Sequence, residues 1–326
     1  MADKNQILTD EQIGLGATKP AAPKTLSDSD IGFDPPARGF KGWAQDVAAT
    51  AVKGAIGVPE MLVGLADIPT GGRVGKFLEN EGGAVGFRPK QAKEIVNDWH
   101  SDATKEAQRK FQQADGFVDK AVTAIQNPSN IFVSVGESIP SMLAGGLAGR
   151  GIMATTKLGT MGAKGAALAG AAGEGLTMAG SAAEQIRQET EDGLLTPGQA
   201  AAAGLTGVGG AGLGALGGRV ANKLGIGDVD TMIAQGAKGV NADVAAGAAR
   251  AAANPLVQQS ALRAIPTKVV QGAISEGFLE ELPQSVAEQV FQSLALGKDW
   301  NEDVDAAAVM GVLSGSAMGG AASGFR

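Results

Sequence analysis

The sequence predicts an all-α protein, an extended helical chain with Ala/Gly-rich glycine-zipper hairpins and a disordered N-terminal arm. Three observations predict it. Apolar residues recur at helical spacing, and the β-branched alternation of strands is missing. Glycine fills 50 of 326 positions, about twice its usual ~7%, with no collagen period. Two Gly-x-x-x-Gly-x-x-x-Gly runs, Gly210/Gly214/Gly218 and Gly311/Gly315/Gly319, fall in charge-free stretches.

Taken in order, residues 1–37 read as a flexible, solvated arm, punctuated by Pro20, Pro23, Pro35 and Pro36. Residues 38–128 read as an amphipathic helical region. Its first helix covers about 41–57 and is expected to end at Pro59. Asp67 to Gly72 reads as a turn. A further helix opens at Pro89, a residue suited to the first helical position, and carries Ile95, Val96 and Trp99. Another helical stretch runs through Phe111 and closes near Asn127-Pro128. Residues 129–326 form an Ala/Gly-rich helical region. Each interior glycine costs a helix about 1 kcal/mol relative to alanine, so these helices need a tertiary reason to exist.

Within that region lies a duplication. The first copy runs from Gly170 to Gln188 and the second from Gly272 to Gln292. Glu174-Gly175 matches Glu276-Gly277, and Ala183-Glu184-Gln185 matches Ala287-Glu288-Gln289; the second copy holds two extra residues between these anchors. Five residues after each terminal glutamine comes a glycine, Gly193 or Gly297. Thr196-Pro197-Gly198-Gln199 then spells a helix start with a capping box, and Asn301 is the expected cap of the second copy. The repeated unit is an acidic amphipathic helix, a short turn and a glycine-zipper helix, at about 170–222 and 272–326. An Ala/Gly-biased chain also produces such likeness by chance.

The zipper glycines are the candidate helix-packing and oligomerisation residues. A GxxxG face lets two backbones approach closely, which drives association in lipid and serves equally for packing inside a soluble bundle. No stretch of 18 strongly apolar residues stands out, so an ordinary transmembrane helix is not expected. Ala and Gly gain little from hydrocarbon, so insertion would need an oligomer, and the membrane association expected is conditional. On the preceding helix Glu276, Glu280, Gln284, Glu288 and Gln292 follow i+4 steps, with Pro283 expected to kink it. This stripe reads either as a solvated face or as the polar lining of a multi-subunit channel. Eight acids and one base between Glu276 and Asp305 give it the repulsion that lets DNA slide without sticking.

Other chemistries are set aside on residue type. A net charge of −7 disfavours a nucleic-acid grip. There is no cysteine and a single histidine, His100, expected on a helix surface. Paired carboxylates at Glu280-Glu281 are adjacent on a helix and do not flank one substrate. Glu137-Ser138 opens like a lytic transglycosylase motif, but Ile139-Pro140-Ser141-Met142 follows. No phosphate-binding GxxxxGK[ST] occurs, and Asp228 and Asp230 lack the rest of a calcium loop and read as a helix start. Neither catalytic residue, cofactor nor metal is expected. Trp43, Trp99 and Trp300 read as core or interfacial anchors.

Several runs resemble the internal virion (DNA ejection) proteins of short-tailed bacteriophages and related prophages. They are Gly64 to Gly72, Asn127-Pro128-Ser129 to Pro140-Ser141-Met142-Leu143, Lys223 to Thr231, and Glu276 to Gln289. The resemblance spans most of residues 40–320 in texture and short runs, without one diagnostic motif. It implies a non-enzymatic protein held in the virion interior near the portal with other ejection proteins. On infection such a protein passes to the host envelope and oligomerises into part of a channel, with DNA as non-specific cargo. A peptidoglycan-cleaving domain, fused in some relatives, is lacking here, so a partner would supply that activity. A soluble virion scaffold and a bacterial pore-forming toxin are the alternatives.

Overall fold

The computed structural model describes residues 40–80, 86–223, 277, 279 and 281–324. Among the described residues there are ten helices and no strand. They are α1 (Phe40–Thr70), α2 (Arg73–Asn80), α3 (Pro89–Asn97), α4 (Asp102–Gln113), α5 (Gly116–Gln126), α6 (Ser129–Thr155), α7 (Gly162–Glu189), α8 (Pro197–Lys223), α9 (Leu282–Ala295) and α10 (Val304–Gly324). The arm expected over residues 1–37 lies outside the described residues, as do Asp228 and Asp230.

Helix α7 is the axis of the arrangement, packing against α1, α6, α8 and α9. It manages this because its neighbours meet it at small residues. A methyl group on Gly173 would strike the Gly145 carbonyl of α6; one on Gly175 would strike the Gly207 carbonyl of α8; one on Gly180 would strike the Met61 carbonyl of α1. Three faces of one helix thus admit three close backbones, and the glycine excess is spent on crossings between helices. The buried side chains are correspondingly small: Ala166, Ala169, Ala171, Ala179, Ala182 and Ala183 all lie on α7. Ile186 and Leu195 join Ala182, Ala183 and Ala203 in the central apolar cluster.

Prolines terminate helices less than their chemistry suggests. Helix α1 runs through Pro59 and Pro69 to Thr70, so the end expected at Pro59 and the turn expected from Asp67 are corrected; the turn begins at Gly71. A proline interrupts one backbone bond and crowds the preceding turn, and here packing on α6 and α7 holds the rod together. Pro140, inside α6, sits over Gly54 of α1, whose missing side chain makes room for the ring. Helices α1 and α6 are long and apolar enough to cross a membrane by length and composition, with mean hydropathy 1.3 and 1.4 in their most apolar windows. This corrects the expectation that no such stretch exists: alternating Ala, Val, Ile and Met reach that mean without a visible leucine-rich block.

The Pro89 helix forms and ends at Asn97, with Val96 buried and Ile95 exposed; Trp99, expected on it, lies exposed in the turn beyond. The stretch through Phe111 is two helices, broken at Ala114-Asp115. His100 is corrected from surface to core. It is 2% exposed, and its Nδ1 lies 3.4 Å from Oδ1 of the equally buried Asp46. Trp300 is exposed, so it is no core anchor.

Each of the two segments read as a repeat holds a helical hairpin among the described residues. Helices α7 and α8 form one hairpin and α9 and α10 another. The two turn glycines, Gly193 and Gly297, hold φ of +65° and +69°, the left-handed region that a side chain disfavours. The capping box at α8 is made: the Gln199 N–H donates to Thr196 Oγ1 at 3.3 Å, and the Thr196 N–H donates to Gln199 Oε1 at 2.9 Å. The second hairpin departs from it. Helix α10 opens at Val304, after Asp303 at φ +58°, so Asn301 lies in the turn and is not the cap. Pro283 stands in the first turn of α9. Residues 277, 279 and 281 before it adopt a wider helical turn, as fits a segment whose proline supplies no N–H.

Candidate assembly faces and the buried charge cluster

The six zipper glycines do not share one role. Gly311 and Gly315 lie inside the second hairpin: a methyl on Gly311 would meet Ser285 and the Glu281 carbonyl, and one on Gly315 would meet the Glu281 methylenes and Gly277 Cα. Their counterparts in the first hairpin, counted from the turn glycines, are Gly207 and Ala211. Gly207 and Ala211 are the residues that meet Gly175 of α7. The run Gly210/Gly214 is therefore set off from the equivalent face. Gly210 lies under the Met178 side chain, its carbonyl accepts a 3.4 Å hydrogen bond from Gln284 Nε2, and Gly214 is buried. Gly218 and Gly319 fall within α8 and α10, with surroundings outside the described residues.

What α8 turns outward is a different set. Leu205, Val208 and Leu216 are exposed by 54%, 71% and 54%, and a methyl on Gly204, Gly209 or Gly212 would meet nothing. No charged residue occurs from Pro197 to Gly218. This makes an open, uncharged helix face beside the zipper run.

The described part of the acceptor stripe is drawn partly into the packing. Gln284 is buried against α8, and Glu288 and Gln292 are partly buried, Gln292 Nε2 donating to Glu288 Oε1 at 3.1 Å. Glu276 and Glu280 lie outside the described residues. Burial pushes the carboxyls of Glu281 and Glu288 up to about 7, and for Glu281 the neighbouring Glu288 charge adds to it.

The first hairpin treats the equivalent carboxylate differently. Glu184 matches Glu288 and takes the same bond from Gln188 Nε2, at 2.9 Å. It also holds Arg187 in a fork, Nε to Oε2 at 2.9 Å and one terminal nitrogen to Oε1 at 2.6 Å. Arg187 further binds Glu79 Oε2 at 3.1 Å and lies 3.4 Å from Asp67 Oδ2. Asp67 in turn accepts the Gly75 N–H at 2.9 and 3.1 Å. Glu60 ties Lys93 and Gln188 to the same assembly. Arg187, Glu184 and Asp67 are each at most 1% exposed. Burial alone would lower the guanidinium's affinity for its proton; the bonds to Glu184 and Glu79 outweigh it and raise that affinity. Sequence reading missed this cluster, although one signal was present: within matched repeats, Arg187 aligns with Phe291.

A second polar cluster joins α1 to α4. Asp46 accepts the Ser101 N–H at 2.7 Å, Ser101 Oγ at 2.8 Å and Thr104 Oγ1 at 2.8 Å. Asp, His and Ser come together here, but the serine donates to the carboxylate and not to the imidazole, and all three are buried. The arrangement anchors a helix start rather than a nucleophile. Among the described residues no group of three or more His, Asp or Glu side chains could hold a metal ion. No family model, no curated protein and no solved structure matches the chain.

Proposed function

We propose that the chain is a non-enzymatic assembly protein of the phage ejection type, carried in the virion interior and forming part of an oligomeric channel in the host envelope. The observation that carries this reading is α8: a helix without charge from Pro197 to Gly218 whose outer face presents Leu205, Val208 and Leu216. Such a face gains from burial against another copy or in lipid, and its open glycines let a second helix approach closely. The apolar lengths of α1 and α6 support it more weakly. Helix α1 buries Asp46, Glu60 and Asp67, which leaves α6 as the candidate span by length and composition; in this reading α8 meets lipid only as part of an oligomer. The resemblance to ejection proteins supplies the setting: other ejection proteins and the portal region as neighbours, the envelope membrane entered conditionally, DNA as passing cargo.

The test is liposome co-flotation with cross-linking, comparing the wild type with Leu205→Gln/Val208→Gln/Leu216→Gln. These side chains are exposed, so the variant keeps the fold, whereas substituting Gly311 or Gly315 would unpack a hairpin. Flotation of the wild type as a discrete oligomer, lost in the variant, supports the channel. A wild type that stays unassociated whatever lipid is offered would sink it and favour the virion scaffold.

A further inference from the structure

Counted from the turn glycines, with Gly193 matching Gly297, residues of α8 have counterparts in α10 at the same point of the hairpin. Gly204 then matches Ala308, Leu205 matches Val309 and Val208 matches Val312. The two sectors differ in what lies over them. On α10 the sector is inside: Ala308, Val309 and Val312 are 7%, 1% and 8% exposed, and α10 packs on α5 and α6 as well as on α9. On α8 the sector is open: Leu205 and Val208 are both more than half exposed, and a methyl on Gly204 or Gly212 would meet nothing. One hairpin seats its apolar sector against other helices, and the other presents the matching sector bare.

Helix α5 offers a surface that fits it. Besides the face that packs in the chain, α5 carries Val118, Val122 and Ile125 at i, i+4 and i+7, exposed by 70%, 46% and 48%. This row is an uncharged ridge of branched side chains. The α8 sector is an uncharged groove, where Gly204 and Gly212 leave two gaps beside Leu205, Val208 and Leu216. At the helical rise those gaps lie about 12 Å apart, and Val118 to Ile125 spans about 10 Å, so ridge and groove agree in length. Among the described helices α8 packs chiefly on α7, α9 and α1, and α5 chiefly on α4, α6 and α10. Ridge and groove of one chain therefore sit among separate sets of neighbours.

We propose that the open sector of α8 is the seat for the α5 ridge of a second copy. The pairing repeats between copies the α5–α10 packing that exists within one, with the first hairpin taking the place of the second. Branched side chains enter the gaps at Gly204 and Gly212, and both apolar surfaces leave water. The contact joins two different surfaces, so it is head-to-tail: each copy gives a ridge to one neighbour and a groove to the other. Repeated about an axis, such a contact closes a ring. The pairing deepens the assembly reading above and rests on it, since it names the contact between adjacent subunits.

The chain has no cysteine, so Val208→Cys and Val122→Cys variants of the full chain carry one thiol each. Both sites are exposed, so both variants keep the fold. The two are mixed, with and without phosphatidylethanolamine–phosphatidylglycerol liposomes, and joined with a short bis-maleimide. The mixture should give about tenfold more cross-linked dimer than either variant alone, because a seated pair holds the thiols at high effective concentration. That excess should vanish when the Val208→Cys chain also carries Leu205→Gln/Leu216→Gln. Equally strong cross-linking of Val208→Cys to itself, which is α8 on α8, overturns the pairing. So does a Val122→Cys/Val208→Cys chain that joins its own two thiols, or a mixture that yields no dimer in either condition. A wild type that floats as an oligomer while the mixture yields no dimer keeps the assembly reading and overturns this contact. A mixed dimer formed although the wild type never floats keeps the contact and overturns the channel.

Discussion

Replacing Arg187 by methionine should be among the most damaging single changes in this chain. The variant keeps most of the side chain's volume and removes the cation that Glu184 and Asp67 share. Glu184 loses a two-pronged bond at 2.9 and 2.6 Å, and Glu79 loses one at 3.1 Å. Glu79 is 40% exposed on its side chain, so water makes good much of its loss. Glu184 keeps the Gln188 donor and Asp67 keeps the Gly75 N–H. The remaining penalty is that of a buried carboxylate stripped of its partner, about 3–4 kcal/mol. For a domain of this size that lowers Tm by roughly 10 °C. Urea unfolding at pH 7 measures it, paired with Glu184→Gln in a double-mutant cycle whose coupling should reach about 2 kcal/mol. Burial already raises the proton affinity of Asp67, and the Met variant removes the Arg187 charge that lowers it. The stability that protonated Asp67 lends is therefore present at low pH and lost as pH rises, and the deficit should narrow towards pH 5. A loss below about 1 kcal/mol, or a coupling near zero, would refute the assignment of Arg187 as the charge that closes the α1–α7 crossing.

Glycine substitutions should split by location. Gly64→Ala drives a methyl into the Gly180 carbonyl and should cost about 3 kcal/mol, whereas Gly209→Ala and Gly212→Ala meet open space and should stabilise α8 by up to about 1 kcal/mol each, both read from thermal unfolding. Asp46→Asn removes the charged acceptor shared by Ser101 and Thr104 and should cost about 2 kcal/mol, with the loss of protection in hydrogen exchange concentrated in α4.

Local signals carried the fold class, and long-range ones did not. The capping box at Thr196 and Gln199 and the turns at Gly193 and Gly297 depend on residues within one or two turns, and their chemistry can be read directly from the sequence. Pro59 misleads because its cost is local while the packing that overrides it comes from α6 and α7. His100 and Arg187 fail for the same reason: their partners lie 54 positions upstream for His100, at Asp46, and up to 120 upstream for Arg187, at Asp67. The zipper pattern marks Gly210 and Gly214, which are buried, and passes over the closest approach of α8 to α7, at Gly207 and Ala211, because alanine escapes the motif.

Among the described residues, a core in which alanine is the commonest buried side chain has a calorimetric consequence. Heat capacity of unfolding follows the apolar area exposed, and each buried alanine exposes little. Among the largest fully buried side chains are Arg187, Glu184 and Asp67, whose polar atoms pull the heat capacity the other way. The stability curve should therefore be broad and shallow, with a low maximum and weak curvature. Such a chain changes state over a modest energy range without a sharp thermal threshold, which would suit the proposed passage from virion to envelope.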